Sequence, residues 1–187
     1  MPDYYVRSTS TGGSDNGTSW ADAYLTLLQA VDAATAAFSA GTISWIRVSQ
    51  AHAEVTVTTA NEVLYTGPTS PGLRIICEND STGVPTTGAT VTETENGTKF
   101  SFSQFLYIQG IHFKTPTNSS SVNGFYFGSI SNLTHALGFR DCTFELGPTG
   151  GTPFYLFGQA GNNQDDVMIV MDNCVFQTNR TSQYIRP

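Results

Sequence analysis

Few side chains in this chain of 187 residues are suited to acid–base chemistry, because Asp, Glu, Lys and Arg together make up only 12% of it. Arg140 and Asp172 have the most suggestive spacing, since they occupy equivalent positions in two similar segments. A cation beside a carboxylate can act in catalysis, but opposite charges on neighbouring strands are more often solvated ion pairs. Arg140 and Asp172 therefore remain candidates only, and the sequence predicts no catalytic residue.

Two other groups of oxygen-bearing side chains could do chemistry. Asp165 and Asp166 adjoin in the loop 161–166, but consecutive residues do not ordinarily face one cleft, and inverting glycoside hydrolysis needs carboxylates about 6.5–9.5 Å apart. Asp15 and Asn16 could offer Ca²⁺ the mixed oxygen ligands that it takes. Ser-Asp-Asn-Gly is also an ordinary turn sequence, so Asp15 and Asn16 are candidates and the sequence predicts no metal site.

The histidines and cysteines do not form a recognisable ligand set. The histidines fall at unrelated positions, and the chain has no Cys-x-x-Cys motif. Cys142 and Cys174 occupy equivalent positions in two similar segments, so they could bond as neighbours, although buried apolar residues are the favoured interpretation. We therefore expect no cofactor. The residues concerned are His52, His112, His135, Cys77, Cys142 and Cys174.

Three tyrosines are the predicted binding residues. Tyr107, Tyr126 and Tyr155 alternate with apolar residues of the predicted strands, which turns their rings outward. Exposed aromatic rings can stack on sugar rings or anchor a protein interface. The same outward placement is explained equally well if these rings only shield the side of the predicted coils from water.

The charge balance argues against several classes of partner. The chain has 8 Lys and Arg against 15 Asp and Glu, which gives a net charge of −7 and a pI near 4.7. Nucleic acid and anionic membranes bind basic patches, so we expect neither as a partner. No apolar run is long enough to span a bilayer, and the first residues lack the basic and apolar regions of a signal peptide.

The elements that would position these residues follow from an internal repeat. Segments 106–113, 137–144 and 169–176 recur at nearly equal intervals and alternate apolar with polar side chains. That alternation is typical of strands with one buried face. Each segment is broken by a residue that readily adopts positive φ, which indicates a corner between two strands. The breaking residues are Gly110, Asp141 and Asn173.

Fainter copies extend the repeat towards the N-terminus. Segment 75–79 aligns with 106–110, so that Ile75 corresponds to Leu106, and 46–50 aligns in turn with 75–79. About five turns of similar length, over 43–180, predict an all-β fold, a parallel β-helix in which equivalent side chains stack in ladders. A second family of aromatic segments precedes the core strands, at 100–102, 124–128 and 153–157.

One helix is expected before the repeats. Ser19 and Asp22 fit a capping box, the apolar positions from Trp20 to Phe38 follow helical spacing, and Gly41 would end the helix. Such a helix would cover the open end of the first coil. We expect one domain over 1–187, with a strand, a loop and the capping helix in 1–42, coils in 43–180 and a tail in 181–187.

The opening of the chain resembles that of a known family. Tyr4–Val6, Gly13–Trp20 and Gly41–Ile43, with the later Tyr107–Phe113, are similar to segments of right-handed parallel β-helix proteins of the pectate-lyase type. This superfamily includes polysaccharide lyases, hydrolases, epimerases and phage virion proteins, so the fold does not decide the activity. A lyase would imply acidic residues that hold Ca²⁺ beside a Lys or Arg base, and this sequence shows no clear cluster of that kind.

A short stack of coils without a carboxylate cluster favours a structural or binding role. Segment 175–187 leaves a coil without an amphipathic cap, so we expect another subunit or another copy to cover that end. The resemblance then implies a bacteriophage virion protein, a capsid- or tail-associated decoration, fibre or spike subunit made in the host cytoplasm. Its partners would be other virion proteins, copies of itself or a surface polysaccharide. A polysaccharide lyase or glycoside hydrolase that depolymerises a host glycan and a non-catalytic carbohydrate-binding module are the alternatives.

Overall fold

Strands make up most of the part of the chain that the structure describes. The computed structural model describes residues 3–9, 14–38, 43–56, 62–68, 72–95, 99–115, 124–127, 135–147, 154–155, 167–178 and 185–186. The elements are β1 (Asp3–Val6), α1 (Leu27–Ala36), β2 (Ser44–Ser49), β3 (Ala53–Thr56), β4 (Glu62–Thr66), β5 (Leu73–Glu78), β6 (Ala89–Glu93), β7 (Lys99–Ser103), β8 (Phe105–Gln109), β9 (Ile111–Lys114), β10 (Phe125–Phe127), β11 (His135–Arg140), β12 (Thr143–Leu146), β13 (Phe154–Tyr155), β14 (Val167–Asp172), β15 (Val175–Thr178) and β16 (Ile185–Arg186).

Consecutive strands belong to different sheets in a fixed rotation. β2, β3 and β4 lie in three separate sheets, and β5, β6 and β7 pair with them in the same order, parallel in each case. The six-stranded sheet has the order β1-β2-β5-β8-β11-β14, the five-stranded sheet β15-β12-β9-β6-β3 and the three-stranded sheet β10-β7-β4, while β13 pairs with β16. The expectation of an all-β chain with parallel sheets is therefore confirmed.

The strand register reproduces the predicted ladders. Leu137 pairs with Leu106 and Ile169, and Phe144 pairs with Phe113 and Phe176. The aromatic segments also match, since β10 and β7 pair Phe125 with Phe100 and Phe127 with Phe102.

One predicted alignment is wrong. Leu106 pairs with Leu73, and Ile108 with Ile75, whereas the sequence alignment placed Ile75 beside Leu106. The observed register is therefore shifted by two positions, and such a slip leaves every side chain on the same face of a strand. The apolar alternation alone cannot distinguish the two registers.

The predicted corners have the backbone conformation that their residue types favour. Gly110, Asp141 and Asn173 have φ of 78°, 52° and 51°. A Cβ atom on Gly110 would lie 2.0 Å from the carbonyl oxygen of Thr86, so glycine is required by space as well as by φ. Asp141 accepts a hydrogen bond from Asn173 Nδ2 at 2.7 Å, which links two successive corners.

The core is an aromatic cluster to which all three large sheets contribute. Phe102 of the three-stranded sheet contacts Phe113 of the five-stranded sheet and Phe139 of the six-stranded sheet, with ring centroids 5.2 and 5.3 Å apart. Phe144 stacks on Phe113 and Phe176, with interplanar angles of 13° and 14°. Each fully buried phenylalanine stabilises the fold by about 1.5–3 kcal/mol, so these ladders hold the sheets together.

The helix begins later than the sequence predicts. Ser19 and Asp22 do interact, since Ser19 Oγ donates to Asp22 Oδ2 at 3.0 Å, but α1 begins at Leu27 after the N-cap Thr26. Tyr24 cannot be helical because its backbone N–H and carbonyl bond to Tyr5 and Arg7 at the edge of β1. The buried side of α1 contacts β1, β2 and β4, as expected for a helix that covers the first strands.

The segment expected to be a tail contains a strand. Ile185 and Arg186 form β16, which pairs in parallel with Phe154 and Tyr155 of β13. The aromatic segment 153–157 is described only at these two residues, so its predicted likeness to 124–128 lies mostly outside the described residues. The predicted helix stop at Gly41 and the loop that holds Asp165 and Asp166 also lie outside them.

Candidate functional site

A groove on the outer face of the six-stranded sheet is the candidate binding site that the described residues offer. It encloses about 230 Å³ and crosses four neighbouring strands, β5, β8, β11 and β14. The side chains that line it are mostly apolar or aromatic, with a single charged group. The lining residues are Gly72, Leu73, Arg74, Phe105, Leu106, Tyr107, Ala136, Leu137, Gly138, Met168 and Val170.

The middle of the groove is formed by Tyr107 and Gly138. They are register partners on β8 and β11, and a Cβ atom on Gly138 would lie 2.9 Å from Tyr107 Cδ2. The ring of Tyr107 therefore occupies space that any side chain at position 138 would need. Its hydroxyl donates to Gln109 Oε1 at 3.2 Å, which fixes the ring orientation.

Partial burial raises the pKa of the Tyr107 phenol above its ordinary value, and the Arg140 guanidinium opposes that rise. The phenol is therefore neutral at physiological pH. A neutral hydroxyl both donates and accepts hydrogen bonds, and the ring beside it offers an apolar face. This combination suits a ligand with alternating hydroxyl and C–H surfaces.

Arg74 supplies the charge of the groove. Its guanidinium carbon lies 5.1 Å from the centroid of the Trp45 ring, which is the neighbouring position on β2. Among the described residues Arg74 has no acidic partner, whereas four other cationic side chains are paired with carboxylates. Those four are Arg7, Arg47, Lys114 and Arg140.

The far wall of the groove is apolar. Met168 and Val170 on β14 are 60% and 54% exposed, and Val170 is the register partner of Gly138. Two exposed apolar side chains beside an aromatic ring form a surface that excludes water when a ligand covers it. The groove therefore combines a stacking surface with one cation.

The two catalytic candidates lie beside the groove in the predicted column. Arg140 pairs in register with Gln109 and Asp172, and Arg140 Nε lies 3.5 Å from Asp172 Oδ2 and 3.6 Å from Asp141 Oδ2. The side chains of Arg140 and Asp172 are 54% and 66% exposed. Their geometry is that of a solvated surface ion pair, and the lining of the groove contains no carboxylate.

Tyr107 and Tyr126, two of the three predicted binding tyrosines, lie on different sheets. Tyr126 lies on β10 of the three-stranded sheet, where the Lys99 ammonium is 4.5 Å from its ring centroid. Tyr155 is a backbone partner of Arg186 in β13, and its side chain lies outside the described residues. Of the three, the groove contains Tyr107.

The side chain of Asn16 is engaged in a local turn. Its Oδ1 accepts from the backbone N–H and the hydroxyl of Thr18, at 3.1 and 2.7 Å, while Asp15 has a positive φ of 48°. Within the described ranges no group of three His, Cys, Asp or Glu side chains could hold a metal ion.

A buried His–Glu pair was missed by the sequence reasoning. His52 Nδ1 accepts from the backbone N–H of Ser8 at 2.9 Å, so the ring proton lies on Nε2, which faces Glu54 Oε2 at 3.1 Å. The same oxygen accepts from the N–H of Leu27, the first residue of α1, at 2.7 Å. Glu54 thus ties β3 to the first turn of α1 and to the loop that precedes β3. If residues 53–56 had been recognised as a strand, their alternation would have predicted that the side chain of Glu54 points inward.

A second ion cluster lies on the outer face of the five-stranded sheet. Glu145 Oε2 is 2.9 Å from His112 Nε2, and Glu145 Oε1 is 2.9 Å from Lys114 Nζ. Lys114 and Glu145 are register partners on β9 and β12. Both oxygens of this carboxylate have a nitrogen atom within ion-pair distance, but the geometry at His112 Nε2 does not meet that of a hydrogen bond.

Arg74 and Gly138 were also missed. In the expected alignment Arg74 would pair with Phe105, whereas the observed register places it beside Tyr107. A comparison with known protein families, curated proteins and solved structures found no match to this chain. In the described part of the chain, no helix has the length and apolarity needed to cross a membrane.

Proposed function

We propose that the chain is a right-handed parallel β-helix that serves as a non-catalytic binding and structural subunit of a bacteriophage particle, capsid- or tail-associated. Three lines of support are the rotation of parallel strands among sheets, the ladder register and the resemblance of the opening segments to pectate-lyase-type β-helices. The right hand is what that resemblance implies, and it agrees with the hand of most crossovers between parallel strands.

The proposed binding site is the groove, and the proposed ligand is a surface polysaccharide. The observation that carries this assignment is Arg74, which stacks on Trp45 without an acidic partner among the described residues and stands beside Tyr107. Sugar rings present C–H faces that stack on aromatic rings, while their hydroxyl or acidic groups accept hydrogen bonds from a guanidinium. Other virion proteins or copies of the chain remain the proposed partners in the particle.

Binding without catalysis fits the groove better than glycan cleavage does. Glycoside hydrolysis ordinarily requires two carboxyl groups on either side of the scissile bond, and none lines the groove. The nearest candidates, Arg140 and Asp172, are an exposed ion pair beside it.

The test is retention of the protein on a panel of immobilised bacterial surface polysaccharides. We expect Arg74→Ala to weaken binding about 10- to 100-fold, because a hydrogen bond to a charged group contributes about 1.5–3 kcal/mol. Tyr107→Ala should weaken it similarly through loss of stacking. Tyr126→Ala is the matched control, because Tyr126 lies on another sheet and is also beside a cation.

Two outcomes would contradict the proposal. Equal retention of the parent, Arg74→Ala and Tyr107→Ala would show that the groove is not the binding site. Cleavage of a retained glycan that disappears in Arg140→Ala and Asp172→Ala, with the fold intact, would instead identify a depolymerase.

A further inference from the structure

Cys142 and Cys174 occupy the same place in successive repeats. Each directly follows a positive-φ corner, Asp141 or Asn173, and each precedes a strand whose first residues, Thr143 and Val175, are register partners. The N–H of Val175 donates to the carbonyl of Cys142 at 2.9 Å, so the two chain segments are directly bonded at this point.

The two thiols also point the same way. Cys142 Sγ lies 3.3 Å from the carbonyl oxygen of Arg140, and Cys174 Sγ lies 3.5 Å from that of Asp172, two residues earlier in each case. Neighbouring strands are about 4.8 Å apart, which falls within the Cα separation of about 4.4–6.8 Å that a disulfide requires. The two Cα atoms are therefore close enough for a disulfide, and side-chain rotation with a small shift of the two corners would bring the sulfur atoms to bonding distance, because a disulfide also needs a Cβ separation of about 3.5–4.5 Å.

The surroundings of the two sulfur atoms differ. Cys142 is 1% exposed, whereas Cys174 is only partly buried at the margin of the core. Interaction with the neighbouring Cys142 thiol lowers the pKa of the Cys174 thiol to about 7, while the interaction with Cys174 and burial raise the pKa of Cys142. The partly exposed sulfur is thus the nucleophile, because the thiolate is the reactive form.

We propose that Cys142 and Cys174 are an oxidation site, at which a two-electron oxidant of the peroxide class joins the two thiols in a disulfide. The Cys174 thiolate attacks one peroxide oxygen, the O–O bond breaks, and the leaving hydroxide takes up a proton as water. The sulfur of Cys142 then attacks the resulting sulfenic acid, the S–O bond breaks, and the proton of the Cys142 thiol leaves with the hydroxyl as a second water. Two thiols are oxidised and one peroxide is reduced.

The cross-link would fix the strand that forms the wall of the groove. Cys174 connects β14 to β15, and β14 carries Met168 and Val170. A covalent bond to the preceding repeat opposes the separation of β14 from β11. Oxidation is therefore expected to stabilise residues 167–178 in particular, and this expectation does not depend on what the groove binds.

The experiment treats the reduced, full-length protein with a small excess of hydrogen peroxide. We expect the intact mass to fall by two hydrogen atoms, peptide mapping to show a bond between Cys142 and Cys174, and one alkylatable thiol to remain. The melting temperature should rise by about 5–10 °C. Amide hydrogen exchange of 167–178 should slow relative to the reduced form.

Three variants separate the proposal from general thiol oxidation. Cys77→Ala is the matched control and should behave as the parent, because Cys77 is buried and burial raises its pKa. Cys174→Ser should resist oxidation. Cys142→Ala should accumulate sulfenic or sulfinic acid at Cys174, since the resolving thiol is gone, and its fold is checked by circular dichroism.

The proposal is overturned if the parent protein forms sulfinic acid at Cys174 while Cys142 stays alkylatable. It is equally overturned if the disulfide that forms joins two molecules, or if unchanged exchange of 167–178 accompanies complete oxidation.

Discussion

Tyr65 is a fully buried phenol with an unusual environment. Its ring stacks against Phe100 and Phe102, two residues of the neighbouring strand β7, with centroids 6.2 and 5.7 Å away, but its hydroxyl has no hydrogen-bond partner among the described residues. Burial, and then repulsion from Glu54 and Glu93, raises the pKa of this phenol well above its ordinary value of 10.0. The ring stabilises the fold, whereas the buried hydroxyl opposes it.

Tyr65→Phe should leave the free energy of unfolding at pH 7 unchanged or raise it by up to about 1 kcal/mol, since an unsatisfied hydroxyl is removed. Above pH 10 the folded protein keeps the phenol proton that the unfolded chain loses, so stability falls as pH rises. The variant should lose stability less steeply in that range. Denaturant unfolding between pH 8 and about pH 11 measures both effects.

Tyr107→Phe is the control for this prediction, because Tyr107 is only partly buried. The pKa of its phenol is also raised by burial, but we expect a smaller change in the alkaline slope. Identical slopes for the parent and Tyr65→Phe would contradict the interpretation of Tyr65.

Residue positions were predictable where alternation alone decides them. Tyr107 was placed on an outer face because it lies between Leu106 and Ile108, which are buried. Its partner Arg74 was missed because a two-position slip of β5 preserves alternation while changing every neighbour. The register of distant strands depends on the lengths of the connections, which apolar periodicity does not encode.

At the scale of elements, the start of α1 is set by Thr26. The N–H of Gln29 donates to Thr26 Oγ1 at 3.3 Å, and the N–H of Thr26 donates to Gln29 Oε1 at 3.1 Å. This reciprocal capping box closes the first turn. The carboxylate of Glu54 accepts from the next free donor, the N–H of Leu27.

Thr26→Ala should lower the free energy of unfolding by about 1 kcal/mol and accelerate amide exchange throughout α1, because capping contacts are lost. Ser19→Ala is the matched comparison. It removes the interaction with Asp22 but should leave exchange in α1 unchanged, since Ser19 lies before the helix. Amide exchange measured by NMR in the two variants shows which residue caps the helix. Faster exchange of the α1 amides in Ser19→Ala would contradict a helix start at Leu27 and support a start near Ser19.

Strands and corners were more predictable than the helix boundary. The positive φ of the corners could be predicted from residue type, because Gly, Asp and Asn tolerate positive φ better than most residues. The corners are Gly110, Asp141 and Asn173. Trp20 and Tyr24 have helical spacing, yet the backbone of Tyr24 is bound to β1. Such a tertiary contact overrides a local pattern and is not visible in the local sequence.

At the scale of the whole molecule, the two edges of the six-stranded sheet differ. At β1, Val6 is fully buried. The backbone N–H groups of Tyr5 and Arg7 donate to the carbonyls of Gly17 and Tyr24, so this edge is covered. Next to β14, the inward-facing side chains of the last repeat are only partly buried. These are Ile169, Met171, Cys174 and Phe176.

We expect native-state hydrogen exchange to follow this difference. Amides of β14 and β15 in the reduced protein should exchange through local opening at a lower free energy than those of β5 and β8, which have paired strands on both sides. A strand that is paired on one side only has fewer contacts to lose, so it opens more easily than a strand paired on both sides. Uniform protection across all four strands would contradict this gradient.

The stacking of Arg74 on Trp45 has an optical consequence. The chain has two tryptophans; Trp20 packs edge-on against Tyr5 near β1, whereas Trp45 lies directly under the cation of the groove. Indole fluorescence responds to the electric field of a nearby charge, so movement of the guanidinium towards a ligand would shift the emission of one chromophore and not the other. The molecule thus carries an intrinsic reporter of groove occupancy that needs no attached dye.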